Sequence, residues 1–398
     1  MSILGTACFI AAVALLGGAC TAEPDAGSDA PAADAAGAAG AAAAPNTTAP
    51  SANEGGFAVN EELAPAVAIP LSEELTVVTA INSAPGDYES IKRIDSVSAE
   101  AVRLAYSAEH PGSDGKTTRT RTRRVLRRVD LDSARVYRQG FGNNDDLVYP
   151  GSTALGTSAL VLADLKGKGS AEFSAMPGGV QGMLSNMVGG LLGVEDDEIA
   201  LARGTIRRVQ SIRVPVIVND RPMLLPGIEA RGQIGEEDAE FVFLDDPANP
   251  LALRWRVGGE ALQVIKISFR AAEPPAQVIA EALRTEGRAE VYGIYFDFGS
   301  ATLRPESDAA LRQIADALGA DADWRVRLEG HTDSIGGAAR NHALSEARAA
   351  EVKDALVKRY GISANRLTTA GHGSARPKAP NNTLVGRARN RRVELVRL

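Results

Sequence analysis

The sequence contains few of the residues from which catalytic and metal centres are most often built. Only two cysteines and four histidines occur among 398 residues, and both cysteines, Cys8 and Cys20, belong to the N-terminal leader. No histidine has a second histidine or a cysteine at the short spacing that holds zinc. The sequence therefore predicts no catalytic centre, no metal site and no cofactor, and it leaves no cysteine for a structural disulfide after the leader.

Excess positive charge is also missing. Lysine and arginine number 43 against 50 aspartates and glutamates, which gives a formal net charge of −7. A partner rich in phosphate is bound through a local excess of lysine and arginine. Nucleic acid is therefore not expected as a partner.

The first 20 residues form an apolar run that ends in small residues. The run is too short for a confident membrane span and is typical of a secretory signal. Its end, Leu15–Cys20, resembles a lipobox, the sequence at which a lipoprotein is cleaved and acylated on cysteine. The resemblance implies lipidation of Cys20 and anchoring in the outer membrane, facing the periplasm. A cleaved signal peptide with an incidental cysteine is the alternative.

Residues 21–55 consist almost entirely of small and polar residues with no apolar periodicity. Such a segment cannot bury a core and is predicted to be a disordered linker. A linker at this place suits a lipid anchor that must reach a structure some distance away.

Residues 56–275 change to a globular, strand-rich composition. Short β-branched or alternating runs, separated by glycine and proline turns, predict strands. The clearest runs are Leu75–Ile81, Ile212–Val218, Glu240–Leu244, Leu253–Val257 and Gln263–Phe269. We expect a mostly antiparallel β domain, either a sandwich or a partly open barrel.

Two stretches of this region have more than one interpretation. Alternating arginines in Lys116–Arg128 form either a basic patch for acidic glycans or lipid head groups, or a strand face protected by charge. The glycine-rich, apolar stretch Ala175–Val194 is either a lipid or partner contact, or a connection packed on the core. Neither stretch identifies the function of the region.

Residues 291–398 alternate between strand and helix patterns, after a linker or short helix at 276–290. Val291–Phe298 and Trp324–Glu329 are predicted strands, and a helix is predicted over 337–360. Two further strands are predicted at Leu367–Gly371 and Arg392–Val396. Strands that alternate with helices imply right-handed crossovers and a mixed sheet with helices on one face. The fold class is therefore α+β.

Two charged residues stand out in the segment that joins the second of these strands to the long helix. Asp333 lies in the loop, and Arg348 falls in a row of four-residue steps with Leu344, Val352 and Leu356. Residues four apart share a helix face, so the guanidinium is placed within an apolar stripe. There it needs an anionic partner to offset its desolvation. An internal salt bridge is the alternative to an external ligand.

Several motifs in order make residues from about 293 to 398 resemble the OmpA-like C-terminal domain, a periplasmic peptidoglycan-binding module. The motifs are I-Y-F-D-F at 294–298, G-H-T-D at 330–333, L-S-E-A-R at 344–348 and N-R-R-V-E at 390–394. The resemblance implies a βαβαβ(α)β fold. It further implies that Asp333 and Arg348 grip the ammonium and carboxylate of meso-diaminopimelate in the stem peptide.

The same resemblance implies secondary contributors to the site. Thr332, Asn341 and Ala347 are expected to line the pocket, and Asp297 begins the loop after the first strand. Gly299 stands where many members of the family carry asparagine. One of the arginines at 391 and 392 is expected to reach the ligand, and Arg391 is included among the binding residues.

These features favour a non-enzymatic tether between the outer membrane and peptidoglycan. One alternative is a wall-anchored enzyme, or a lipid- or protein-binding carrier, whose activity lies in the β-rich region. Another is an assembly factor whose β-rich region docks a second envelope protein.

Overall fold

A computed structural model describes residues 68–82, 88–111, 117–138, 146–175, 202–258, 260–270 and 275–398. All of them belong to one compact unit, residues 50–398. The leader with Cys20, the linker, and most of the glycine-rich stretch lie outside the described residues. None of the described helices is both long enough and apolar enough to cross a lipid bilayer.

The described residues of the β-rich region form one large sheet of 13 strands and two short helices, α1 (Arg128–Ser133) and α2 (Ala159–Gly167). In spatial order the strands are β6, β4, β3, β2, β1, β13, β12, β11, β10, β9, β8, β5 and β7. Their bounds are β1 Thr76–Asn82, β2 Tyr88–Val97, β3 Ala101–Pro111, β4 Thr117–Arg127, β5 Val136–Tyr137, β6 Leu147–Val148, β7 Ser152–Thr153, β8 Ser170–Ala175, β9 Ala202–Val218, β10 Arg221–Ile234, β11 Glu237–Leu244, β12 Ala252–Val257 and β13 Glu260–Ser268.

The sheet is mostly antiparallel, as expected, and each of the five strand-like runs named above falls largely within a strand. The strands that the structure describes here are not divided into two sheets as in a sandwich. Instead β9 also pairs in parallel with β13, so that strands β9 to β13 form a closed ring of hydrogen-bonded neighbours. The predicted alternation of β4 is confirmed, because Arg119, Arg121 and Arg123 are exposed while Thr122 and Arg124 are buried.

The C-terminal region forms a separate, mixed sheet of four strands with the spatial order β14, β17, β15, β16. Its elements are α3 Pro275–Thr285, β14 Arg288–Val291, α4 Asp308–Gly319, β15 Val326–Gly330, α5 Ala338–Tyr360, β16 Leu367–Gly371, α6 Leu384–Asn390 and β17 Val393–Arg397. The helices α3, α4 and α5 share one apolar core with the sheet. The α+β class and the mixed sheet are therefore confirmed.

The first strand of this region lies earlier than predicted. It spans Arg288–Val291, whereas 292–298 contribute only an isolated bridge between Phe296 and Leu303. The apolar run that suggested a strand is buried for another reason: Tyr295 packs against the large sheet. The segment expected to be a linker or helix at 276–290 is helix α3 followed by most of that first strand.

The two sheets are joined by a packed interface. Val78, Ala80, Ile91 and Ile265 of the large sheet form an apolar cluster with Tyr295, Val385 and Ala388 of the C-terminal region. Polar contacts surround this cluster. The ammonium of Lys266 donates to the carbonyl of Tyr292 and lies 4.5 Å from the centre of the Tyr295 ring. The C-terminal region therefore rests on one face of the large sheet.

Candidate functional site

The loop between β15 and α5 is held rigidly by its own side chains. The amide of Asn341 donates to the carbonyls of Asp333 and Ile335, at 3.0 and 2.9 Å, and the hydroxyl of Thr332 donates to the carbonyl of Asp333 at 2.9 Å. Asn341 and Thr332 are both buried. Their side chains therefore fix the backbone of the loop, which is a positioning role, and this leaves Asp333 as the acidic group of the loop.

Asp333 is nearly buried and already has partners in its own chain. One carboxylate oxygen accepts from the backbone N–H of Ile335 at 3.0 Å. The other accepts from Nη1 of Arg391 at 2.7 Å. The remaining fork of Arg391, Nε and Nη2, donates to Glu89 on β2 at 3.2 and 2.5 Å. The acidic group predicted to receive a ligand ammonium thus belongs to a chain of three ionised side chains.

Arg348 is different, because it has no acidic partner among the described residues. Its guanidinium is half-buried over the ring of Phe296, 4.7 Å from the ring centre, and its Nε donates to the carbonyl of Ser300 at 3.0 Å. Within the described part of the chain, no carboxylate lies within ion-pair distance of it. Its two terminal nitrogens donate no hydrogen bond to any described residue. The internal salt bridge considered above is therefore not formed with a described residue.

The electrostatics of Arg348 agree with this geometry. Burial and the positive charge of Arg391 lower the pKa of Arg348 to about 10, although the carboxylates of Asp333 and Glu89 oppose the shift. The guanidinium remains charged at neutral pH. It is a desolvated cation with an open hydrogen-bonding edge, in the field of two carboxylates that do not touch it. An incoming carboxylate would satisfy it.

Two other predicted residues, Ala347 and Asp297, make no side-chain hydrogen bond to Asp333 or Arg348. Ala347 is exposed on α5. Asp297 accepts from Arg119 of β4 at 2.9 Å, and burial together with the neighbouring Glu109 raises the pKa of Asp297. Gly299, in the same loop, has a φ of +63°. Glycine and asparagine both tolerate this left-handed conformation. The backbone therefore explains why glycine can stand here where many members of the family carry asparagine.

The structure separates the roles of the two consecutive arginines. Arg391 reaches Asp333, as described above. Arg392 is buried and donates to the carboxylate of Glu394 at 2.8 and 2.6 Å. Arg391 therefore faces the candidate site, and Arg392 holds β17 in place. Sequence reasoning missed Glu89 entirely, because it belongs to a strand 302 positions away from Arg391.

The C-terminal region matches the model of the OmpA family over residues 295–391. Those residues form an OmpA family domain. The match includes Asp333, Arg348 and Arg391, so the whole candidate site except Glu89 lies within it. The sheet that contributes Glu89 lies outside the matched residues.

Known relatives share this OmpA domain. Outer membrane porin F of Pseudomonas aeruginosa is 40% identical over 31% of this chain and 36% of its own length. Peptidoglycan-binding protein ArfA of Mycobacterium tuberculosis is 41% identical over 31% of this chain and 38% of its own length. The matches thus span little more than a third of these two relatives. In the solved structure of the peptidoglycan-associated lipoprotein of Burkholderia pseudomallei, 88% of the chain matches 26% of this one, with 30% identity and a TM-score of 0.25.

A second cluster of titratable groups lies in the C-terminal region. Glu329, His331 and Glu394 are buried and bring one potential ligand atom each to within 4.8 Å of the others. The carboxylates already have cationic partners, since Arg327 donates to Glu329 at 2.7 Å and Arg392 to Glu394 at 2.8 Å. A metal ion would have to compete with both guanidiniums. We therefore assign the cluster a structural role.

His331 should make the OmpA domain sensitive to acid. Burial and the charge of Arg392 lower the pKa of His331 from 6.5 to about 3. Between these pH values the unfolded chain binds a proton that the folded chain does not, so the free energy of unfolding falls as the pH falls through this window. The expected loss attributable to His331 is about 3 kcal/mol between pH 7 and pH 4.

Urea unfolding at these two pH values tests the prediction. The His331→Gln variant should lose about 3 kcal/mol less stability on acidification than the unaltered chain. His342→Gln is the control, because His342 is exposed on α5. An equal acid response of all three proteins would contradict the assignment.

Proposed function

We propose that the chain is a non-enzymatic protein that binds peptidoglycan through its OmpA domain. One observation carries the proposal: Arg348 is a desolvated guanidinium with an open edge and no described acidic partner, close to the carboxylate of Asp333. The names of related proteins support it, since one of them is called a peptidoglycan-binding protein. The ligand class that suits the site is a zwitterionic amino-acid end, with a carboxylate for Arg348 and an ammonium for Asp333.

The free amino-acid end of meso-diaminopimelate in a stem peptide has this chemistry. Its carboxylate would take the open edge of Arg348, and its ammonium would approach Asp333 from the side that Arg391 leaves free. Ordering a flexible stem peptide opposes these contacts, so we expect an affinity on the order of micromolar. Many sites along one polymer add avidity.

The N-terminal sequence supports a second part of the proposal. Acylation of Cys20 would hold the chain at the outer membrane, facing the periplasm, and residues 21–55 would serve as the tether. On this view the protein links the membrane to the wall. The β-rich residues 56–275 would then carry the OmpA domain, residues 291–398, on one face of their sheet.

A bridging experiment tests both ends of the link. The acylated protein should make lipid vesicles sediment with purified sacculi, and free meso-diaminopimelate should release them. Cys20→Ser should abolish the capture of vesicles and leave the binding of sacculi unchanged. If the sacculi sediment while the protein stays in the supernatant, wall binding is contradicted. Release of soluble muropeptides from the sacculi would contradict the non-enzymatic assignment.

A further inference from the structure

Glu89 belongs to β2 of the large sheet, yet it contacts the candidate site of the OmpA domain. Its carboxylate accepts Nε and Nη2 of Arg391 at 3.2 and 2.5 Å, while Nη1 of the same guanidinium lies 2.7 Å from Asp333. The edge of Arg391 that best fits a carboxylate is therefore occupied by Glu89. Only a single N–H of Arg391 is directed to Asp333.

Arg391 competes with any ligand ammonium for the carboxylate of Asp333. Both are cations that bind the same carboxylate, so a positive charge beside Asp333 repels the ligand ammonium and competes with it for the acceptor oxygens of Asp333. Glu89 counters this effect in two ways. Its negative charge offsets that of Arg391, and its contact with Nε and Nη2 prevents the guanidinium from turning its whole fork towards Asp333.

We propose that Glu89 is a specificity-determining residue of the wall-binding site, which restrains Arg391 so that Asp333 can accept a ligand ammonium. This inference rests on the proposed function and deepens it. It makes the large sheet a part of the site, whereas the OmpA domain alone would present Arg391 without its counter-charge.

The packing around Glu89 supports this role. Glu89 is opposite Ala80 in the pairing of β1 with β2, and Ala80 lies in the apolar cluster that joins the two sheets. Burial raises the pKa of Glu89, but the charges of Arg391 and Lys266 outweigh it and lower the pKa to about 2. The carboxylate therefore remains ionised, and its strand is fixed by apolar contacts.

Calorimetric titration of the full chain with meso-diaminopimelate tests the inference. Glu89→Gln keeps the shape and removes the charge, and we expect about a tenfold weaker affinity, which corresponds to about 1.4 kcal/mol. Asp95→Asn is the matched control. Asp95 lies on the same strand and pairs with Arg93 at 2.8 Å, but it is remote from the OmpA contacts named above. Its affinity should equal that of the unaltered chain.

A double variant separates charge compensation from a merely structural effect. Removing Arg391 together with Glu89, as Glu89→Gln with Arg391→Gln, takes away the rival cation and should restore most of the lost affinity. The loss caused by Glu89→Gln should also vanish for diacetylated meso-diaminopimelate, which has no ammonium. Both results depend on charge at Asp333 and would not follow from a general loosening of the fold.

The outcomes are distinguishable. Unchanged or tighter binding by Glu89→Gln overturns the inference and leaves the proposed function standing, as does a double variant no better than the single one. Failure of the unaltered chain to bind either meso-diaminopimelate or sacculi overturns the proposed function and this inference with it.

Discussion

Replacing Arg348 with alanine should lower the affinity for sacculi at least about 100-fold, equivalent to about 2.7 kcal/mol, with the fold preserved. The half-buried guanidinium offers an open cationic edge in the field of Asp333, so its loss leaves a ligand carboxylate unpaired. Stability should change little, because burial without an ion pair already disfavours the charge, as the lowered pKa of Arg348 shows. Sedimentation with sacculi and thermal unfolding measure the two effects.

Two matched variants sharpen this test. Arg359→Ala removes an exposed arginine from the last turn of the same helix and should leave binding unchanged. Arg348→Lys keeps the charge but loses the planar fork, so its affinity should fall between those of the alanine variant and the unaltered chain. Full binding by Arg348→Ala would remove this residue from the site.

Gly330→Ala should be the most destabilising single change at the site, costing about 3 kcal/mol or more. Gly330 ends β15, and a β-carbon there would lie 2.1 Å from the carbonyl oxygen of Ser345 on α5. Backbone atoms cannot move aside as a side chain can, so the helix would have to separate from the sheet. Since that helix carries Arg348, wall binding should be lost as well. Urea unfolding and sedimentation with sacculi are the measurements.

Gly319→Ala provides the control for this substitution. Gly319 is the last residue of α4, and a β-carbon at that position meets nothing within 4 Å. The change should therefore be neutral, or stabilising by up to about 1 kcal/mol, because alanine restricts the unfolded chain. Equal urea midpoints for Gly330→Ala and the unaltered chain would show that α5 does not need the close approach.

The candidate site could be predicted from sequence where local periodicity governs structure. The four-residue step placed Arg348 on the apolar side of a helix, and the helix begins at Ala338 and ends at Tyr360, within one residue of the prediction. The alternation of polar and apolar residues likewise located the strands of the large sheet. Both patterns are dictated by neighbours in the chain, so a single sequence contains them.

Tertiary contacts account for what was missed. The run before Asp297 is apolar because Tyr295 covers the large sheet, and apolar content alone does not show whether a segment pairs in a sheet. The contact of Glu89 with Arg391 joins residues from two regions that no local pattern connects. One sequence also could not show that Asp333 accepts a hydrogen bond from Arg391.

The packing of the OmpA domain against the large sheet has a mechanical consequence. If the N-terminus is held by lipid and Arg348 by the wall, tension between the two layers must cross the cluster around Ala80 and Val385. That cluster resists as a set of apolar contacts acting together, so this part of the chain should transmit load stiffly.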